Sequence, residues 1–389
     1  MAQQASPAGS ANPSLGLSGV AGAPQTVPSG QQQDSLPPVP IPLPAAPIPE
    51  TAFPLEPGEA VPPTSPPPVG DPANGQRPFG SDAYATFGEL SPFYNPAVGH
   101  APLRADYRAT WYGSEPVSGQ PTNLGYVQHD FGLSFPIWQC GTDEWTAGAN
   151  VRAEIFHTNA ILPSTLQPFP DELWNIRFNT SYRHQFDNGW IGGGTVSVGS
   201  ASDKPFHSIQ EMTAGVNAYL RVPQGDHNAW LFSLAYSPTS ELPFPIPGVA
   251  FVYQPSESFR VNIGLPFQMM WRPIDDLTLD FSYMLLRTVH ARATYRLSPL
   301  VRAYVSYDWG NEGYFLADRP NDNDRFYYYD MRLTGGIQVM LVKNFSVDIS
   351  GGYVFDRFYF EGQQFSDNNF NRVDVGNGPF VSIQGRLRW

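Results

Sequence analysis

Phe380-Val381-Ser382-Ile383-Gln384-Gly385-Arg386-Leu387-Arg388-Trp389 closes the sequence, with apolar side chains on every second position. A period of two puts Val381, Ile383, Gly385, Leu387 and Trp389 on one face of a strand. Phe380, Ser382, Gln384, Arg386 and Arg388 share the other face. One face suits lipid and the other suits water, which is what the wall of a membrane barrel requires. An amphipathic strand of a soluble sheet meets the same description, so the rest of the chain decides.

The period recurs upstream. Trp145, Ala147, Ala149, Val151, Ala153 and Ile155 alternate with Thr146, Gly148, Asn150, Arg152 and Glu154. Trp174, Ile176, Phe178, Thr180 and Tyr182 alternate with Asn175, Arg177, Asn179, Ser181 and Arg183. The pattern returns from Met212 to Val222, from Phe259 to Leu265, and through 276–297, 300–310, 325–341 and 345–359. Several runs reach about ten residues, enough for a tilted strand to cross a bilayer.

The connections alternate in length. Short turns fall at Asp187-Asn188-Gly189, Pro255-Ser256-Glu257-Ser258, Leu297-Ser298-Pro299 and Val342-Lys343-Asn344, and longer polar loops at 157–171, 200–208, 238–248, 311–324 and 360–378. Short turns on one rim and long loops on the other predict an all-β, antiparallel, up-and-down transmembrane barrel over residues 104–389. Both barrel ends then lie on the short-turn rim, so the strand number is even, roughly 12 to 16, with about 14 preferred. Prolines 255, 266 and 273 cut the stretch 248–273 into short pieces and leave it ambiguous. Trp111, Tyr112, Trp138, Trp145, Trp174, Trp190, Trp230, Tyr236, Trp271, Trp309 and Trp389 cluster near strand ends. Interfacial girdles require that placement.

Composition agrees. A net charge of −13 argues against a nucleic-acid partner. No apolar run approaches the roughly 18 residues of a membrane helix, but a barrel needs apolar residues only at alternate positions, so the mean hydropathy of −0.29 is no obstacle. Lys204 and Lys343 are the only lysines among 22 basic residues. Arginine suits confined, paired settings, where its planar fork meets carboxylates. Cys140 is the single cysteine, so no intrachain disulfide forms and a cysteine-rich metal site is excluded.

Residues 1–80 differ in kind. They hold Pro37-Pro38-Val39-Pro40-Ile41-Pro42-Leu43-Pro44 and many further prolines, with Arg77 the one basic residue. Such a stretch lacks backbone donors for helix or sheet, which predicts a disordered or polyproline periplasmic linker, able to meet a periplasmic or cell-wall partner. Residues 81–103 restore aromatic surface at Tyr84, Phe87, Phe93 and Tyr94 and are read as a transitional segment or small plug. The first residues show no basic start and no apolar core, so export requires a signal peptide already removed.

Gly264-Leu265-Pro266-Phe267 with Trp271-Arg272-Pro273, and Asp318-Arg319-Pro320 running into Asp324-Arg325-Phe326-Tyr327-Tyr328-Tyr329-Asp330, are distinctive. With Gly351-Gly352-Tyr353-Val354-Phe355-Asp356-Arg357 and Trp389, they resemble an uncharacterised family of bacterial outer-membrane β-barrel proteins over roughly residues 210–389. The last strand also resembles the closing strand of such barrels, although the usual glycine sits one position off. That likeness implies Leu387 and Trp389 as a signal to the barrel assembly machinery, with outer-membrane lipid around the wall. It implies no activity.

No nucleophile motif accompanies His100, His129, His157, His184, His207, His227 or His290, and no cofactor or metal is expected. The loop Asp318–Asp324 offers oxygen ligands but lacks the glycine and distal glutamate of a calcium loop. The expected reading is therefore not an enzyme. If apolar residues face lipid, the lumen receives Arg152, Arg177, Arg183, Arg221, Arg260, Arg292, Arg296, Arg302, Arg332, Arg386 and Arg388. Glu154, Glu211, Asp280, Asp308 and Asp348 join them. An excess of arginine in a low-dielectric pore favours anions, which predicts a porin-like channel for small polar or anionic solutes. The alternative is a closed structural barrel that anchors the proline-rich tail or presents its loops, with these charges paired inside.

Overall fold

The computed structural model describes residues 98–239, 244–284, 288–317, 319 and 324–389. The expected linker (1–80), most of the transitional segment (81–97) and most of the acidic loop (318 and 320–323) lie outside the described residues.

The strands are β1 (Arg104–Pro116), β2 (Asn123–Gln139), β3 (Asp143–Thr158), β4 (Glu172–Gln185), β5 (Ile191–Ser202) and β6 (Met212–Gln224). They continue with β7 (Asn228–Tyr236), β8 (Ile246–Ser256), β9 (Phe259–Gly264), β10 (Phe267–Ile274), β11 (Leu277–Met284) and β12 (Thr288–Arg296). The last are β13 (Val301–Phe315), β14 (Arg325–Val342), β15 (Phe345–Gly362), β16 (Val373–Val375) and β17 (Gly378–Arg388). Each strand from β2 to β16 pairs antiparallel with its predecessor, β17 pairs with β15, and β17 closes the ring on β1, from Arg104 opposite Arg388 to Tyr112 opposite Phe380. The three-residue β16 continues the edge of β17: β15 pairs with β17 as far as Val354 and with β16 from Arg357 to Tyr359. The wall is thus a closed barrel of sixteen strands.

Sixteen is the top of the expected range rather than its preferred value. The difference lies in 248–273, where β8, β9 and β10 are joined by the two-residue links 257–258 and 265–266. Strands this short give too few alternations to register as separate periods.

The faces follow the period. On β17, Val381 and Ile383 point outward at 58% and 43% exposure, while Ser382 and Gln384 point inward at 7% and 9%. Trp138, Trp145, Trp190, Trp230, Trp271 and Trp389 are exposed toward the short-turn rim, as a girdle requires. Tyr112 departs from that expectation. It shares the inward parity of Thr110 and is buried against Tyr126, with ring centroids 4.1 Å apart.

Strand length varies around the ring. β14 and β15 have 18 residues each and β2 has 17, whereas β9 has 6 and β10 and β11 have 8. At about 3.3 Å per residue and a tilt near 40°, 18 residues rise about 45 Å, against an apolar band of about 25 Å. The long strands therefore project beyond lipid on the long-loop side.

Candidate functional site

The projecting walls meet across the lumen. Phe315 of β13 bridges to Ser202 of β5, and the Ala317 N–H donates to Asp203 Oδ1 at 2.8 Å. These strands lie half a turn of the barrel apart. In a round sixteen-strand barrel they would stand on the order of 30 Å from each other, so the outer end is flattened until its opposite sides touch.

Charged groups cross the same gap. Arg152 of β3 contacts Asp130 of β2 at 2.8 Å and also Glu312 of β13, six strands away round the ring. Asn175 donates to Glu312 at 2.8 Å, and Arg108 holds Asp130 at 2.8 Å. Arg332 of β14 binds Asp330 at 3.0 Å and donates to the Tyr112 hydroxyl of β1 at 2.8 Å. Tyr328 donates to Asp330 and shares a 2.8 Å hydroxyl contact with Tyr126 of β2. Removing these charges from water is costly, and the partner on the opposite wall offsets that cost.

Above these pairs sits an aromatic wedge. Phe156 of β3 and Phe169 of the β3–β4 loop pack edge-on against Tyr359 of β15, with centroids 5.8 and 5.0 Å away. Phe169 also meets Phe326 of β14 at 5.4 Å. Tyr126, Phe326, Tyr314 and Tyr359 are buried to within 1%. The outer loops latch over them. Asn371, at φ +49°, accepts from the Ser164 and Thr165 N–H groups at 2.8 and 3.0 Å, and the Ser118 N–H donates to the Asp374 carbonyl at 2.9 Å. On the short-turn side of the wedge lies a polar cavity of about 50 Å³, lined by Arg108, Thr110, Asp308, Arg332, Asp348 and Ser382 among others. That is water-sized space.

The arginines expected in the lumen share the inward face, and many have identifiable partners. Arg183 meets Glu144 at 3.3 Å and Tyr219 at 3.0 Å, Arg296 meets Asp276 at 2.8 Å, and Arg386 donates to Gln384 at 2.6 Å. Arg260 donates to Gln254 at 2.9 Å, and Arg292 stacks over the Tyr304 ring at 3.6 Å. Arg177 faces Asn150 and Gly199 on its two sides, Arg221 faces Ile191 and Leu231, and Arg302 faces Arg296 and Gln338. Among the acids, Asp308 contacts His290 at 2.6 Å, Asp348 accepts from Tyr304 at 2.9 Å, and Asp280 lies opposite Arg292. Glu154 is fully buried beneath the wedge.

Glu211 sits elsewhere. It belongs to a single 3-10 turn (Ile209–Glu211) in the β5–β6 loop, where its carboxylate accepts from the Ser208 N–H at 2.5 Å. Burial raises this carboxyl, but the Ser208 hydroxyl and N–H outweigh it and hold the group below its ordinary value. Leu387 and Trp389 face outward. Among the described residues no group of three or more His, Cys, Asp or Glu side chains is placed to hold a metal ion.

Asp130, Glu312, Asp330 and the wedge tyrosines have no counterpart in the sequence reading. Asp130 carries the inward parity of Gln128, which a period-two reading of β2 would have supplied. The cross-lumen partners carry no local signal at all.

No family model matches the chain and no curated protein matches it. The chain is similar to an outer-membrane channel from Pseudomonas putida F1 (7% identity, 76% of this chain and 98% of that one, TM-score 0.35). It is also similar to a FadL homologue of Pseudomonas aeruginosa (12% identity, 80% and 95%, TM-score 0.33). A third likeness is to the β domain of the Bordetella autotransporter BrkA (11% identity, 75% and 100%, TM-score 0.29).

Proposed function

We propose that this is an integral barrel of the bacterial outer membrane, shut at its long-loop end, with a structural role. It anchors the proline-rich extension on the periplasmic side and holds its latched loops outside. The observation that carries this reading is the set of contacts made across the lumen: Phe315 to Ser202 half a turn apart, Arg152 to Glu312 six strands apart and Tyr126 to Tyr328 four strands apart. A general diffusion pore keeps its walls apart. Catalysis is not part of the reading.

A second reading rests on the arc β6–β12, which among the described residues contributes no side chain to the wedge. Its inner face carries Asn217, Arg221, Arg260, Asn262, Gln268 and Thr278. Passive diffusion of small polar or anionic solutes would then be confined to the compartment between β5 and β13. Single-channel recording from refolded protein under a salt gradient separates the two. Silence from folded, inserted protein supports the closed barrel. Discrete steps with an anion-selective reversal potential, lowered by Arg221→Gln and Arg302→Gln, would replace it with the pore.

A further inference from the structure

Two arginine pairs stand directly opposite each other on the inner ladder at the short-turn rim. Arg104 faces Arg388 across β1 and β17, and Arg296 faces Arg302 across β12 and β13. Like charges opposed in a ladder are destabilising, so such pairs conflict with the local rules of strand pairing. They belong to one continuous stretch of rim. Backbone hydrogen bonds link Met340 to Leu300, Arg388 to Asn344 and Trp389 to Leu103, each 2.8 Å long. Lys343 and Arg386 lie in the same stretch, and its acids are Asp275 and Asp276 of one turn, the latter in contact with Arg296 at 2.8 Å, and Asp106, which faces Arg386. Elsewhere on this rim the turns and their edges carry Asp143, Asp187, Asp226 and Glu257. The rim is therefore polarised, with a basic arc from β12 round to β1.

We propose that this basic arc is a docking surface for an extended acidic peptide presented from the periplasm. The arginines share the inward face, away from lipid, so the anion reaches them from the aqueous mouth of the barrel rather than from phospholipid headgroups. The two opposed pairs are separated by about four strand spacings, roughly 20 Å. A single small anion cannot bridge that distance, whereas about six residues of extended peptide can. Carboxylates laid along the arc would add negative charge beside both pairs and offset the repulsion between like charges.

The test is fluorescence anisotropy of fluorescein-labelled decaglutamate with the full chain in neutral detergent. Binding is expected to weaken about tenfold in R104Q/R388Q and about tenfold in R296Q/R302Q, and to be nearly lost when the two sets are combined. Raising the salt should weaken it as well. Lysine at the same four positions should keep most of the affinity, which separates lost charge from lost folding. R372Q, at the opposite end of the barrel, should bind like the parent. Equal binding by the parent and the combined glutamine variant would overturn the proposal. So would displacement of the peptide by anionic phospholipid vesicles as effective as displacement by unlabelled decaglutamate. Channel activity does not enter this readout, so its outcome is independent of whether the barrel conducts.

Discussion

Two arcs of one wall obey the same alternation and end differently. From β7 to β12 the strands have 6 to 11 residues, no more than a lipid crossing takes, with apolar groups outside. From β13 round to β3 the wall includes strands of 15 to 18 residues that continue past the lipid. Beyond the membrane the two-sided rule lapses. Phe326, Tyr327, Tyr328 and Tyr329 are all buried: Phe326 and Tyr328 join the inner wedge, while Tyr327 and Tyr329 pack with Phe358 and Phe360 on the outer side. A strand with apolar surface on both faces behaves as one in a soluble sandwich, and folding onto the opposite wall is how its inner face finds cover. Length alone separates a lipid-facing wall from a self-packing one.

That contrast can be broken from either side. The largest effect is expected from F326A combined with Y359A. Each large-to-small change in a packed aromatic core costs about 3–5 kcal/mol. The outer end should loosen while the lipid-embedded ladder persists, read as increased hydrogen exchange confined to the long arc. Protection unchanged there would mean that the wedge does not hold the walls together. R152Q comes next. It leaves Asp130 and Glu312 facing each other without their shared cation, at a cost of about 3–5 kcal/mol in urea unfolding. Replacing Arg152 and Glu312 together with apolar residues of similar volume should recover most of that loss, because Arg108 still holds Asp130.

On the short arc, F232R places a cation at the middle of the lipid face of β7, and a cost of about 2–4 kcal/mol is expected. The exchange pattern of the wedge should not change. The smallest effect concerns the short-turn rim. Asp143 accepts hydrogen bonds from Tyr182 at 2.5 Å, His184 at 2.7 Å and Thr142 at 2.9 Å, and these donors hold its carboxyl well below the ordinary value. A depressed carboxyl contributes stability that is full above its ordinary pKa of about 4 and is lost as the pH falls through the folded value. D143N should therefore lower stability modestly at neutral pH and flatten the acid limb of the stability curve. An identical acid limb would assign that loss to other carboxyls.

The lipid-facing half of this design was legible in the sequence because lipid enforces alternation residue by residue. The faces of β3, β4, β6 and β17, the rim of short turns and the inward arginines all follow from a period of two. The wedge was hidden for the opposite reason. Arg325 to Asp330 places aromatics at four consecutive positions, so no period assigns a face. The partners that meet across the lumen are far apart in the chain, with Arg152 and Glu312 separated by 160 residues and Tyr126 and Tyr328 by 202. An inward arginine reads the same in sequence whether it lines a pore or is held by a carboxylate on the far wall.

The Phe315–Ser202 bridge also bears on how the barrel is made. Neighbouring hairpins can zip one after another as the chain is inserted. The contact near Ala317 and Asp203, however, joins positions 114 residues apart and needs both walls upright before it can form. Contacts of such long range carry a loop-closure cost that local pairing does not, and they form late. This barrel must therefore meet itself twice, once at the seam between its first and last strands and once across its own diameter. Between those events its outer aromatic surface is exposed, which is when a folding helper would find it.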